Sequence, residues 1–302
     1  MNIEQAKRIP LCLILDKIDC KPSKETPVDA WYLSPLRAEK TPSLHVNKSR
    51  NIWYDFGEAK GGNGIDLVCQ YLKSVNENHT PSDALRWLKN MTGYVPMIAN
   101  VKTVNYKPMG EGLIVRNKKP IEHPALIQYL EKRGIPLTIA ANLFKELRVH
   151  NAATGKTFFT LGVRNEDAGY ETRNPFLKAS VGKKSITFVR GTKAKPEGIN
   201  IFEGCMDYLS VITIQEGRKF EDDTIILNSL SCMDKASPYI NNYGYKVAYT
   251  WLDNDEAGKK ANELLVEFFK TQKSLEYIPM NELYEPYKDV NAWHMAKLGL
   301  KE

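Results

Sequence analysis

The rhythm of apolar and polar positions changes several times along the chain. Residues 2–19 set Ile3, Ile9, Leu11, Leu13, Ile14 and Ile18 at helical spacing, and Lys21-Pro22-Ser23 ends the pattern. Trp53 and Phe56 lie on a short alternating strand and are expected in a small core, and residues 82–92 form a closing helix with Ala84, Leu85, Leu88 and Met91 on one face. From Gly93 to Pro120 periodicity is lost, and Pro96, Pro108, Pro120, Gly110 and Gly112 accumulate. This predicts a linker over 95–120 following a domain at 1–94. A helix over 123–133, stopped by Gly134, and strands at 158–163 and 169–173 place an α+β subdomain at 121–197. Strands at 199–202, 224–230, 245–252 and 275–280 then alternate with helical stretches, so residues 198–302 read as an α/β domain on a parallel sheet.

Charge changes this picture more than composition does. The 302 residues carry a net +6, but 101–195 hold eighteen Lys and Arg against seven Asp and Glu, whereas 198–302 hold eleven against seventeen. A basic block beside an acidic one is the footprint of a nucleic-acid or nucleotide groove. From Arg173 to Lys195 there are seven cations and no acid: Arg173, Lys178, Lys183, Lys184, Arg190, Lys193 and Lys195. Five cysteines show no Cys-x-x-Cys pair or disulfide spacing, and five histidines show no ligand spacing. The N-terminus is neither a signal peptide nor a span, so a cytoplasmic protein without a membrane partner is expected. Gly155-Lys156-Thr157 echoes the end of a P-loop, but His150 stands where the earlier glycine is required, and a turn is the simpler reading.

The acids fall where strands give way to helices. Glu203 follows Ile199-Asn200-Ile201-Phe202, Asp253 and Asp255 follow the strand at 245–252, and Asp289 heads the last helical pattern. In α/β sheets ligands bind outside the carboxyl ends of the strands. Hard oxygen ligands without His or Cys suit Mg²⁺ or Mn²⁺ and argue against zinc. Taken singly, Asn254 or Asp255 is a helix cap and Glu203 a surface acid; taken together they make a metal site.

In order, Glu203-Gly204, Asp253-x-Asp255-x-Ala257-Gly258 and Lys288-Asp289-x-Asn291 resemble the Toprim domain shared by bacterial primases, topoisomerases and some nucleases. The resemblance implies a Mg²⁺-dependent phosphoryl-transfer site, with Glu203 as acid/base or ligand, Asp253 and Asp255 as ligands and Asp289 as an auxiliary acid. A second resemblance lies upstream. Ser34 to Leu44, with its Glu39-Lys40-Thr41-Pro42-Ser43 run, and Trp53 to Leu67, with Gly61-Gly62-x-x-Ile65-Asp66, are similar to the zinc ribbon of bacterial primases. Its four zinc positions, Cys-x-x-His and Cys-x-x-Cys in the family, are here Ser34, Arg37, Asp55 and Glu58. No zinc is expected, and Arg37 is expected to bridge Asp55 and Glu58 as a substitute staple. Tyr129-Leu130-x-x-Arg133-Gly134-Ile135 resembles the opening of the primase polymerase core, which implies that Arg173 and Lys178 face the metal site and bind nucleotide or template phosphate. Lys183 and Lys184 join them as candidates, and Lys40 and Arg50 are candidate template contacts on the ribbon-like domain.

Together the resemblances imply a primase that joins nucleoside triphosphates on single-stranded DNA. The alternatives are a non-catalytic single-strand-binding accessory or a Toprim nuclease. With little chain after the Toprim pattern, a helicase-binding C-terminal domain is not expected. A plasmid or mobile-element protein with a helicase or relaxase partner is.

Overall fold

The computed structural model describes residues 3–92, 112–241, 243–272 and 275–301, and the chain divides into two compact units, Met1–Tyr94 and Val95–Glu302. In the first, α1 (Ile3–Lys7) and α2 (Leu11–Lys17) replace the single helix that periodicity predicts. Pro10 between them lacks an N–H and takes the extended N-cap position of α2, so the helix restarts there. A meander of β1 (Pro22–Glu25), β2 (Asp29–Tyr32), β3 (Leu44–Asn47), β4 (Ile52–Asp55) and β5 (Lys60–Gly62) follows, antiparallel and in sequence order.

Alternation sorts its two faces. Ala30, Tyr32, Leu44, Val46 and Trp53 point inward against α3 (Gly64–Ser74) and α4 (Pro81–Thr92), joining Leu67, Val68 and Leu88 in one core. A capping box starts α3: Asn63 accepts the Ile65 N–H, and Asp66 accepts the Asn63 N–H. Phe56 does not join this core. It is 61 % exposed and stacks on Trp31, because a residue three along from inward-facing Trp53 falls on the opposite face of an extended chain.

The second unit begins with β6 (Leu113–Lys119), which lies within the stretch 95–120 predicted as linker. It is a sheet edge with Arg116, Lys118 and Lys119 on it, too polar to announce itself by periodicity; residues 93–111 lie outside the described residues. After α5 (Pro124–Lys132) and α6 (Leu137–Ala140) come β7 (Lys145–Asn151), β8 (Thr157–Arg164), β9 (Tyr170–Asn174) and β10 (Leu177–Val181). They form an antiparallel sheet of order β10-β9-β8-β7-β6, in which Gly155-Lys156 is part of the β7–β8 turn.

A second sheet is built from β11 (Thr187–Val189), β12 (Gly198–Phe202), β13 (Asp223–Ile226), β14 (Val247–Trp251) and β15 (Glu276–Pro279), in the order β11-β13-β12-β14-β15. All neighbours are parallel except the edge strand β11. Its helices are α7 (Cys205–Ile214), α8 (Ser237–Ile240), α9 (Glu256–Lys270) and α10 (Val290–Lys297). β13 stops at Ile226, short of the predicted 230, because Asn228 turns into the left-handed region and a 3₁₀ turn follows. Met206 to Ile212 are buried without a break, so α7 has no polar face. One core runs from α5 and β8 (Leu126, Tyr129, Leu130, Leu161, Val163) through α7 to Phe202 and Ile226, tying the antiparallel sheet to the parallel one.

Candidate active site and the ribbon staple

Register brings the acids together. β12 and β14 are parallel neighbours with Phe202 opposite Trp251, so both strands end at the same rim and deliver Glu203 and Asp253 side by side. The Glu203 N–H donates to the Trp251 carbonyl at 3.2 Å, and the Asp253 N–H donates to Glu203 Oε2 at 3.2 Å. Burial raises the Glu203 carboxyl above its ordinary range, with Asp255 adding to the rise. Asp253 is pushed to about 7, first by burial and then by Glu203 and Asp289. Asp255 behaves differently. It caps α9, accepting the Gly258 N–H at 3.0 Å, and this hydrogen bond leads the causes that lower its carboxyl. Asp289 likewise caps α10 through the Ala292 N–H at 2.7 Å. Gly258 is required by close approach, since a Cβ there would lie 2.0 Å from the Asp253 carbonyl oxygen.

Sequence reasoning missed the most buried acid of the group. Asp207, 7 % exposed on α7, accepts the Asn291 N–H at 3.1 Å, and burial followed by Asp289 and Asp253 raises its carboxyl strongly. Its position four residues after Glu203, with the helix beginning in between, was the available signal. The loop that carries Asp253 and Asp255 is pinned by side-chain amides. Asn281 Nδ2 donates to the Leu252 carbonyl (2.8 Å) and to Asn254 Oδ1 (3.1 Å), and Asn254 Nδ2 donates to the Tyr287 carbonyl (3.0 Å). The same segment presents Lys288, whose ammonium lies 3.4 Å from Asp255 and 3.7 Å from Asp253.

Cations face these acids from the antiparallel sheet. Arg173 and Lys178 are opposite one another on β9 and β10, and with Gly204 and Cys205 they line a narrow cleft. Burial opposes the charge of Arg173, but nearby Cys205, Tyr129, Asp207 and Asp289 outweigh it and raise the pKa of the guanidinium. Lys178 acts on Glu203 from the same side.

In the first unit, Arg37 is the hub of the four ribbon positions. Its Nη1 and Nη2 donate to Asp55 Oδ2 and Oδ1 at 2.8 and 2.9 Å, a two-pronged pair with a fully buried carboxylate. Ser34 Oγ donates to the same carboxylate at 2.6 Å. The expected Glu58 is a loose ion-pair partner at 3.9 Å that also pairs with Lys60, and the closer second acid is Glu39, at 2.7 Å from Nη2. The turn after β4 explains the exchange: the Gly57 and Glu58 N–H groups both point at Asp55, so Glu58 contributes backbone where a side chain was expected. A Cβ on Gly57 would lie 1.9 Å from the guanidinium, so a side chain there would displace Arg37 from Asp55. Burial pushes the Asp55 carboxyl up, but the hydrogen bonds from Arg37, Ser34 and the two N–H groups reverse this and hold it at about 2.

Comparison with known families finds the CHC2 zinc finger over residues 13–93 and the Toprim-like domain over 200–294. The chain is a primase-like Toprim protein. A domain of unknown function, DUF8464, matches residues 115–182 of it, and no curated protein matches. Among solved structures, the primase fragment of the bacteriophage T7 primase-helicase aligns at 16 % identity over 86 % of this chain and 92 % of that one, with a TM-score of 0.43. The zinc-binding and RNA polymerase domains of the Aquifex aeolicus primase align at 14 % identity over 99 % and 83 %, with a TM-score of 0.41. The family models, not these superpositions, carry the assignment.

The Toprim-like domain gathers its acids at the ends of parallel strands, while the ribbon-like domain holds a guanidinium network around Arg37. Among the described residues no three His, Cys, Asp or Glu side chains form a ready metal cage. The Toprim donor set nonetheless fits a hard divalent cation: Glu203, Asp253 and Asp207 are crowded oxygen acids, all raised, and a cation would relieve their repulsion. Lys183 and Lys184 lie on the loop after β10, where their carbonyls accept from Asn165 and Lys235, and they do not line the cleft. Lys40 and Arg50 are exposed on the first unit. No described helix is long and apolar enough to cross a membrane.

Proposed function

We propose that this protein is a metal-dependent nucleotidyltransferase that joins nucleoside triphosphates into short primers on single-stranded DNA. The observation that carries the reading is the pairing of Glu203 and Asp253, at the ends of two parallel strands, with Arg173 and Lys178 across a narrow cleft. Phosphoryl transfer is catalysed mainly by position and by charge set where charge develops, and this cleft offers both signs.

Glu203 and Asp253 would hold Mg²⁺ or Mn²⁺, with Asp207, Asp255 and Asp289 beside them; such an ion polarises phosphate oxygens and offsets their charge. Mg²⁺ keeps several waters and takes one or two carboxylates plus substrate phosphates, so a closed protein cage is not required. Arg173 would receive the triphosphate with its planar fork, and Lys178 would add a movable point charge. Glu203, its carboxyl raised above its ordinary range by burial, is suited to take the proton of the attacking 3′ hydroxyl. Lys183, Lys184, Lys40 and Arg50 would contact template phosphates more loosely. The domain order 1–94, 95–120, 121–197 and 198–302, a plasmid or mobile-element setting and a helicase or relaxase partner belong to the same reading.

The test is nucleotide binding followed by the spectrum of bound Mn²⁺. Wild type is expected to bind Mn²⁺ and a nucleoside triphosphate with mutual enhancement, weakened at least tenfold in Asp253→Asn and in Arg173→Gln. Triphosphate binding that ignores both the metal and the two variants would overturn the reading.

A further inference from the structure

We propose that the exposed end of the antiparallel sheet in the second unit is a stacking platform for unpaired DNA bases, with Phe159 and Phe176 as the rings and Arg148 as a phosphate contact. The inference rests on the proposed action on single strands and extends it to residues outside the acid–cation cleft.

Register sets the platform out. Leu161 is opposite both Glu146 and Arg173, and Arg173 is opposite Lys178, so these residues share one face of the sheet. Two residues back along β8, Phe159 lies on that same face opposite Arg148. A step of two residues in a strand is roughly 7 Å, so the ring stands one row away from the cations that line the cleft. Near the cleft the face is covered, and Leu161 and Val163 belong to the core. At the Phe159 end it is open: Phe159 is 41 % exposed and Arg148 is exposed.

The hairpin that carries Arg173 and Lys178 adds a second ring. Its tip is Pro175-Phe176, and Phe176 is 95 % exposed, the most exposed large apolar side chain among the described residues. The turn itself does not call for a phenyl ring. Asn174 shapes it by accepting the Phe176 N–H on Oδ1 at 2.9 Å, work that small polar turn residues commonly do. Asn174 also fixes the tip beside the other ring, its Nδ2 donating to the Phe159 carbonyl at 3.1 Å. Phe159 in turn is stacked on His123, with centroids 4.8 Å apart and planes at 29°, and His123 is held as the N-cap of α5. The nearby acids are engaged elsewhere: Glu122 pairs with Lys119, and Glu146 accepts the Glu122 and His123 N–H groups.

Held rings interleaved with cations are what sequence-tolerant single-strand binding uses, because every base has a π-face and every nucleotide a phosphate. A protein partner or second copy would gain the apolar contact but has no general reason to meet Arg148, Arg173 and Lys178 along the same face. Charge complementarity therefore selects a polyanion with flat unpaired rings.

The experiment measures anisotropy of labelled oligo(dT), of an abasic strand of equal length and of a duplex, with the full chain at several salt concentrations. Phe176→Leu and Phe159→Leu keep apolar bulk and remove the ring. Each is expected to weaken oligo(dT) binding about fivefold or more at unchanged salt slope, and to leave abasic binding as in wild type. Arg148→Gln is expected to lower the salt slope on oligo(dT) by about 0.7. Melting curves equal to wild type show that the variants are folded, as the exposure of Phe176 leads one to expect. Leu variants that bind oligo(dT) like wild type, or a duplex bound as tightly as oligo(dT), would overturn the platform while leaving the nucleotidyl-transfer reading in place. A wild type that binds no single strand at all would overturn both.

Discussion

Replacing Arg37 with alanine removes the guanidinium from a carboxylate that solvent does not reach. Asp55 would keep the hydroxyls of Ser34 and Ser43 and the Gly57 and Glu58 N–H groups, but not the two guanidinium bonds, and Glu39 would lose its cation while keeping its hydrogen bonds from Ser34 and Ser43. Breaking a buried ion pair from one side costs about 3–5 kcal/mol. The four retained donors and the 26 % exposure of the Arg37 side chain place this case near the lower end, about 3 kcal/mol. For a unit of this size that corresponds to a fall in melting temperature on the order of 15 °C.

The same staple has a pH signature. Asp55 ionises at about 2 when folded against an ordinary 3.8, so its contribution of roughly 2.5 kcal/mol is fully present above pH 4 and is lost as the pH falls toward 2. Hydrogen exchange of the α3 amides in the full chain, with and without a strong chelator, reads the first unit separately. The expected result is a loss of protection in Arg37→Ala, a partial rescue in Arg37→Met/Asp55→Asn, and no response of wild type to chelation. Stoichiometric zinc in the purified protein, or an Arg37→Ala chain as protected as wild type, would refute the reasoning.

Asp253→Asn should raise the metal-free stability of the second unit at pH 8 by up to about 4 kcal/mol, because a carboxyl raised to about 7 binds its proton more tightly when folded, and wild type therefore loses stability as the pH climbs from about 4 through 7; calorimetric melts across that range check it. Gly258→Ala should cost about 1–3 kcal/mol and reduce nucleotidyl transfer far more than this implies, since the new methyl displaces the Asp253 backbone; melting and turnover measured together separate the two effects. Arg173→Gln should raise the KM for the triphosphate at least tenfold, which steady-state kinetics at saturating template would show.

Much of the second unit was legible in the sequence because its signals are local. The Asp-x-Asp-x-Ala-Gly run follows β14 and begins α9, one of the helical stretches expected between the strands. The rest depended on pairing across the chain. β6 and β7 mix Arg, Lys, Glu and His into half-covered strands, so no apolar run marks them. Asp207 hid inside a helix buried all round, where no stripe singles out a face. Glu39 stands closer to Arg37 than Glu58 does because the turn spends the Glu58 backbone on Asp55, a choice made by backbone geometry. Phe56 was legible after all: strict alternation from Trp53 places it outward.

Primer synthesis on circular single-stranded DNA, with labelled nucleoside triphosphates and Mg²⁺ or Mn²⁺, tests the central claim most directly when wild type is run beside Glu203→Gln and Asp253→Asn. Short labelled products from wild type that disappear in both variants are the predicted result. A wild type that makes no product yet binds single strands tightly without metal, or one that nicks the template, would contradict it.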